Sequence, residues 1–456
     1  MHPTVIIGGG IAGLSCAYRL QALGAPVLLL EKSERTGGVI RSIQRDGFLF
    51  DLGPQSFLST EPLLQFISEL GLDGELVKAD PRAPRFVLLG GKLTRVPMAP
   101  PDLLSTPALG FATKLRLFSE PFRRSTPPEP DESIAAFVRR KFTAELLDNL
   151  ASPFVSGVYA GDAEKLSLRA AFPSAYQWEK EYGSVLRGAM KARPPKDRPK
   201  PTLCSFRAGI GAFPERLGAK LGPLAKTGAR VLSIARVAGD SNARFEVTFE
   251  SGSQRDSVRA AAIVMASPAF AAAALLEAAA PRAAELLRGI EYAPIAVISG
   301  GYRTEQVQNP LTGFGYLIPR KEGRATLGTV WNSSLFPHRA PAGHALVTSF
   351  TGGATNLQVL AHTEAEITAT VERETAAILG VQGAPAMRNY SRYTHALPQY
   401  NLGHTQRIAS LRTEAAQIPG LFFVGNYLEG PAISSTVESA LRTAQAVFAS
   451  CKTAGS

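Results

Sequence analysis

A mixed α/β and α+β architecture is what this sequence predicts, and three observations predict it. The chain opens on a β-branched strand, a glycine turn and an alanine- and leucine-rich helix, Val5 to Leu20. It closes on a second strand-Gly-helix, Leu421 to Phe448. Between them, Ile295 to Thr351 alternates apolar and polar residues with the period of an antiparallel sheet.

The opening element carries the most specific signal. Val5-Ile6-Ile7 is followed by Gly8, Gly10 and Gly13 in G-x-G-x-x-G spacing, with Ile11 and Ala12 beginning the helix. Gly8 permits the tight turn, Gly10 lets a pyrophosphate approach the backbone, and Gly13 allows close helix–strand packing. The helix N-terminus adds free N–H groups and a positive dipole end. A second strand, Ala25 to Leu30, ends at Glu31, positioned for a ribose hydroxyl. Together these predict a Rossmann-like dinucleotide-binding unit. Lys32, Arg35, Gly37 and Gly38 follow, then Gly47-Phe48-Leu49-Phe50-Asp51-Leu52-Gly53-Pro54.

The rest follows in chain order. Glu61 to Leu70 reads as a short amphipathic helix, and Pro81 to Pro101 as a hairpin. Leu103 to about Lys200 turns helical, with basic clusters at Arg123-Arg124 and Arg139-Arg140-Lys141. The stretch 191–201, KARPPKDRPKP, reads as a linker. Strands are expected at Ala229 to Leu232, Arg244 to Phe249 and Val258 to Ala266, and a helix at Glu364 to Leu379. The predicted organisation is a discontinuous nucleotide-binding domain (residues 1–80, 203–270 and 385–456), a sheet domain for substrate (81–102 and 271–384) and a helical, membrane-binding domain (103–202).

Composition narrows the class. At 456 residues and 45% hydrophobic content, the chain suits several domains with large cores. Cys16, Cys204 and Cys451 are scattered, and the six histidines lack ligand spacing, so neither a disulfide framework nor a metal site is expected. The N-terminus shows no signal peptide, which predicts a cytoplasmic chain. No apolar run suits a transmembrane helix. The net charge of +11 fits solubility, an anionic membrane surface or an acidic substrate. Nucleic acid is not expected, since no basic motif with interleaved aromatics appears.

The paired Gly37-Gly38 after the second strand, and Gly47 to Pro54, resemble signatures of the FAD-dependent amine oxidases and their relatives. That resemblance implies FAD, with backbone at Gly53-Pro54 beside it and Val231 on the adenine side. Gly425-Asn426 and the helix beginning at Ile433 match the family's last flavin motif. Members that tether FAD use a cysteine there. None lies between Gly425 and Glu438, so the FAD is expected to be non-covalent.

Further words resemble the oxygen-dependent protoporphyrinogen oxidase family: Ala83-Pro84-Arg85-Phe86, Val155 to Asp162, Gly313-Phe314-Gly315-Tyr316-Leu317, Ser334 to Pro337, and Pro398-Gln399-Tyr400-Asn401-Leu402-Gly403-His404. Gly430-Pro431-Ala432-Ile433 departs from the family's usual Gly-Val-Gly or Gly-Val-Ala. The resemblance implies oxidation of a porphyrinogen, with hydride passing from a methylene bridge to flavin N5 and oxygen yielding peroxide. Arg85 would pair with a propionate. Phe314, Leu317, Val330 and Phe350 would form apolar walls, and the Gly157 carbonyl would orient the rings. Tyr316 and Gln55 are further pocket candidates. A peripheral contact with the inner face of the cell membrane is expected, and a homodimer stays open. Coproporphyrinogen III oxidation, a flavin amine oxidase with Tyr427 in its amine slot, a carotenoid desaturase and a non-catalytic flavin-binding protein are the alternatives.

Overall fold

The computed structural model describes residues 2–192, 201–237 and 243–453. Most of the 191–201 linker lies outside them.

Strand Thr4–Ile7 forms the middle of a five-stranded sheet. The order is Ala225–Lys226, Val27–Leu30, Thr4–Ile7, Ala262–Met265, Leu421–Phe423, and every pairing is parallel. Such strands are buried on both faces and therefore read as continuous apolar runs. Ile6 and Val264 point to one face, where helices Ile11–Ala22 and Ile433–Thr453 pack through Leu14, Ala17, Val437 and Ala444. Val5, Ile7, Ile263 and Met265 point to the other. An antiparallel meander (Ala229–Arg236, Phe245–Ser251, Gln254–Ala260) and helices Ala269–Leu276 and Pro281–Arg288 cover that side.

A second, seven-stranded sheet runs Met387–Pro398, Tyr292–Arg303, His344–Gly352, Thr326–Val330, Gly315–Leu317, Arg85–Leu89, Lys92–Arg95. All its pairings are antiparallel except Gly315–Leu317 with Arg85–Leu89. Helix Glu364–Leu379 packs on one face through Ile367 and Val371, which meet Ala296 and Ile298. Thr363 caps its start, with the Thr363 and Glu366 side chains each bonding the other residue's backbone N–H. Gly380 ends it in the left-handed region, φ +66°.

Two predicted boundaries move. Residues 385–456 were expected to return to the nucleotide domain. Instead Met387–Pro398 pairs along Tyr292–Arg303, so the return falls after Pro398. Residues 271–384 were expected in the sheet domain, but Ala272, Leu276, Ala283 and Leu287 share the core of Val5 and Ile7. Both segments join the sheet that buries their apolar face, which local pattern does not specify.

The helical region has its own core around Ile134, Val138, Leu147, Val155, Tyr159 and Leu168. Its second basic cluster is consumed internally. Lys141 is 4% exposed and lies 3.0 Å from Glu120, Arg140 bonds Glu132 and Glu179, and Arg139 bonds Glu164. Among the described residues, no helix is long and apolar enough to cross a membrane.

Candidate active site

The opening turn is shaped by close backbone contact. Gly8 has φ +118°, and its N–H donates to the Leu30 oxygen at 2.9 Å. A Cβ on Gly13 would stand 2.0 Å from the Gly8 oxygen, so only glycine lets the helix lie so near the strand. Gly10 is different. A Cβ there would meet nothing within 4 Å, so its backbone faces an open cradle. Glu31 stands at the edge of that cradle. Its Oε2 accepts the Gly9 N–H at 2.6 Å and its Oε1 accepts that of Ser33 at 2.8 Å.

The glycine doublet joins the same cradle. Gly37 donates to the Gly9 oxygen at 2.7 Å, and a Cβ on Gly38 would lie 3.4 Å from the Gly10 Cα. Arg35 curls back to give its guanidinium to the carbonyls of Thr36 and Gly38, bracing the loop. Lys32 is exposed. Gly53 packs against the Val39 oxygen, where a Cβ would stand at 2.4 Å, and Pro54 is half-buried beside it. Ala229 donates to the Glu31 carbonyl at 2.8 Å, which brings the Val231 backbone alongside the same edge. Ile11, Ala12 and Ile433 lie in one buried cluster. Their side chains hold the two helix N-termini together, leaving backbone to address a ligand. Glycine backbone, an open cradle and an adjacent carboxylate fit a dinucleotide.

The closing strand runs into Gly425, φ +157°, and Asn426 is partly exposed. Tyr427 is fully buried in the core with Ile263 and Met265, so it lines no amine slot. Burial pushes its phenol well above the ordinary range.

The second sheet sorts its residues by alternation. Residues directly opposed on neighbouring strands share a face. Leu317 opposes Gly328, Gly328 opposes Phe350, and Val330 opposes both Gly315 and Thr348. Leu317, Val330 and Phe350 therefore share the face turned away from helix Glu364–Leu379, and all three are half-buried. Arg85 opposes Gly315 on that face. Its guanidinium lies over the Phe314 ring, 5.4 Å from the centroid, and reaches toward Met98 Sδ at 3.9 Å. Among the described residues it has no carboxylate partner. Gly157, in the last turn of helix Ser152–Tyr159, touches Leu317: a Cβ there would stand 2.6 Å from its Cδ2. The structure thus gathers Arg85, Gly157, Phe314, Leu317, Val330 and Phe350 around one apolar wall.

Two pocket candidates do not join it. Tyr316 is one residue from Leu317 and so faces the opposite way, buried with Trp331 and Leu379. Gln55 is buried, with its amide committed: it donates to the carbonyls of Asp51 and Gly53 and accepts from Asn332 Nδ2 at 2.6 Å.

That Gln55–Asn332 bond is half of a link that sequence reasoning missed. Arg339, fully buried, lies 2.8 Å from Asp51, whose other oxygen accepts from Ser42 and the Ile210 N–H. Burial pushes the Asp51 carboxyl up, while Arg339 opposes the shift. The link pins Gly53-Pro54 against the segment following Val330. Its one sequence signal is Asp51 ending the apolar run Phe48-Leu49-Phe50, since an acid there is buried and needs a cation.

The flavin-containing amine oxidoreductase family model matches residues 11–448. The chloroplastic protoporphyrinogen oxidase of Nicotiana tabacum is 35% identical over 97% of this chain and 85% of its own length. This chain belongs to the protoporphyrinogen oxidase family of flavin-containing amine oxidoreductases. It is an oxidoreductase with a flavin cofactor. The coproporphyrinogen III oxidase of Bacillus subtilis (strain 168) is 28% identical over 95% of each chain. Among solved structures, a protein from Exiguobacterium sp. 255-15 gives a TM-score of 0.82 at 24% identity over 98% of both chains. Cyclohexylamine oxidase from Brevibacterium oxydans IH-35A gives 0.70 at 18% identity over 99% of both. At those identities the likeness is one of fold.

Proposed function

We infer that this chain oxidises protoporphyrinogen IX to protoporphyrin IX, using non-covalent FAD and molecular oxygen. The observation that carries the reading is the wall of Leu317, Val330 and Phe350 with an unpaired Arg85 at its edge. An apolar macrocycle bearing carboxylates needs both, because desolvating a carboxylate without a cation is costly. FAD, when bound in the glycine cradle, supplies the hydride acceptor and passes the electrons to oxygen. The protein positions, orients and excludes water. Arg85 neutralises a propionate. The wall shields the macrocycle, and Gly157 offers a carbonyl from a final helical turn, where intrahelical donors run out.

A peripheral contact with the cytoplasmic face of the cell membrane goes with this reading. Supporting it, Phe111 and Phe122 are 82% and 83% exposed, and Leu115, Phe118, Phe154 and Val158 are exposed on the same helical region. Val158 adjoins Gly157, so this apolar surface continues toward the wall. Arg123 and Arg124 are exposed beside Phe122 and supply the electrostatic part, in place of the paired Arg139 to Lys141.

The test is anaerobic mixing of the purified holoprotein with porphyrinogen. Bleaching of the flavin band by protoporphyrinogen is the expected result, and an unreduced flavin would sink the reading. Coproporphyrinogen III belongs in a parallel arm, given the Bacillus subtilis relative.

A further inference from the structure

The segment Gln399 to His404 touches both halves of the site. Gln399 Nε2 donates to the Tyr159 oxygen at 2.9 Å, at the end of the helix that carries Gly157. The Tyr400 hydroxyl donates to the Asn426 carbonyl and accepts the Gly430 N–H at 2.7 Å. It thereby closes the turn after Gly425 into a ring. His404 Nε2–H donates to the Tyr427 carbonyl at 2.9 Å. Its ring lies parallel to Tyr400, with centroids 4.3 Å apart and 12° between planes. Both rings are nearly fully buried. Three backbone groups of one turn are thus held by side chains of a single segment, and the turn leads directly into helix Ile433–Thr453.

We propose that Tyr400, supported by His404, is a positioning residue for the flavin. Its hydroxyl sets the shape of the Asn426–Gly430 turn, and the neighbouring Gln399 ties the same segment to helix Ser152–Tyr159. The proposal rests on FAD as the cofactor and not on the substrate's identity.

Tyr400→Phe keeps the ring and removes the hydroxyl. The variant is expected to bind FAD about tenfold more weakly in apoprotein titration, the scale of one or two lost hydrogen bonds. The visible band and midpoint potential of the bound flavin should shift, with kcat falling and KM for porphyrinogen unchanged. His404→Leu should move the same readouts in the same direction. His404→Gln, which retains an N–H donor, should restore them. Parental affinity, spectrum and potential in Tyr400→Phe would overturn the proposal. Should that variant not fold, His404→Leu and His404→Gln behaving alike would overturn it. A parent holoprotein whose flavin porphyrinogen cannot reduce would remove the substrate reading and leave these flavin readouts to stand on their own.

Discussion

The two halves of the candidate active site are made of different material. The cofactor cradle is backbone: Gly8, Gly10, Gly13, Gly37 and Gly38 bring main chain together, and few side chains enter it. The proposed substrate wall is side chain: Leu317, Val330, Phe350 and Arg85 project from four strands of one sheet. Backbone approach demands glycine at fixed spacing, whereas a wall needs only apolar residues on the correct face. The first is therefore intolerant of added atoms, and the second adjusts by packing.

The largest expected effect separates two glycines three residues apart. Gly13→Val drives a Cβ into the Gly8 oxygen at 2.0 Å and should abolish soluble, folded protein. Gly10→Val places its Cβ in open space, so the fold should survive with the melting temperature of the flavin-free parent and no flavin. Circular dichroism and flavin release on denaturation would check both; a yellow Gly10→Val protein would break the comparison.

A double substitution, Phe111→Ser with Phe122→Ser, probes the surface that continues the wall. On the proposed membrane contact, burying each ring in lipid contributes roughly 1.5–3 kcal/mol, so affinity for anionic liposomes in flotation should fall by about a hundredfold or more. Flavin content should not change. Salt should weaken the parent's binding as well, because screening shortens the reach of Arg123 and Arg124.

Next comes pH. Burial holds the His404 imidazole down at about 4, below its ordinary 6.5. Above pH ~6.5 both folded and unfolded chains carry it neutral, and stability is complete. As pH falls toward 4 the unfolded chain takes up a proton that the fold refuses. Stability should drop by up to about 3 kcal/mol across that window. Urea unfolding at pH 7 and 4.5 measures the drop, and His404→Gln should reduce it.

Arg85→Ala should raise KM for porphyrinogen by about tenfold, roughly the lower end for a hydrogen bond to a charged group, since Arg85 is exposed. Flavin content and melting temperature should stay parental. An unchanged KM would remove the anchor role. The smallest effect belongs to Gly157→Ala. The three atoms nearest its Cβ all belong to the Leu317 side chain, which can move, so stability should change by less than about 1 kcal/mol. A modest KM change without flavin loss would mark the wall as side chain in nature.

Spacing and pattern alone determined the Gly8–Gly13 turn, the helix Glu364–Leu379 and the strand at each end of the chain, while the place of Gly37-Gly38 came from the family resemblance. These are local: a glycine turn, a cap or a period of alternation is readable within a few residues. Tertiary structure decided the rest. It sent Met387–Pro398 to the second sheet, and register separated Tyr316 from its neighbour Leu317. It spent Lys141 on a buried Glu120 rather than on solvent. It also brought Arg339 to Asp51, and Tyr400 to a turn more than twenty residues on. A sequence shows which residues will be buried or charged. Which partner each one meets depends on strands and helices arriving from distant parts of the chain.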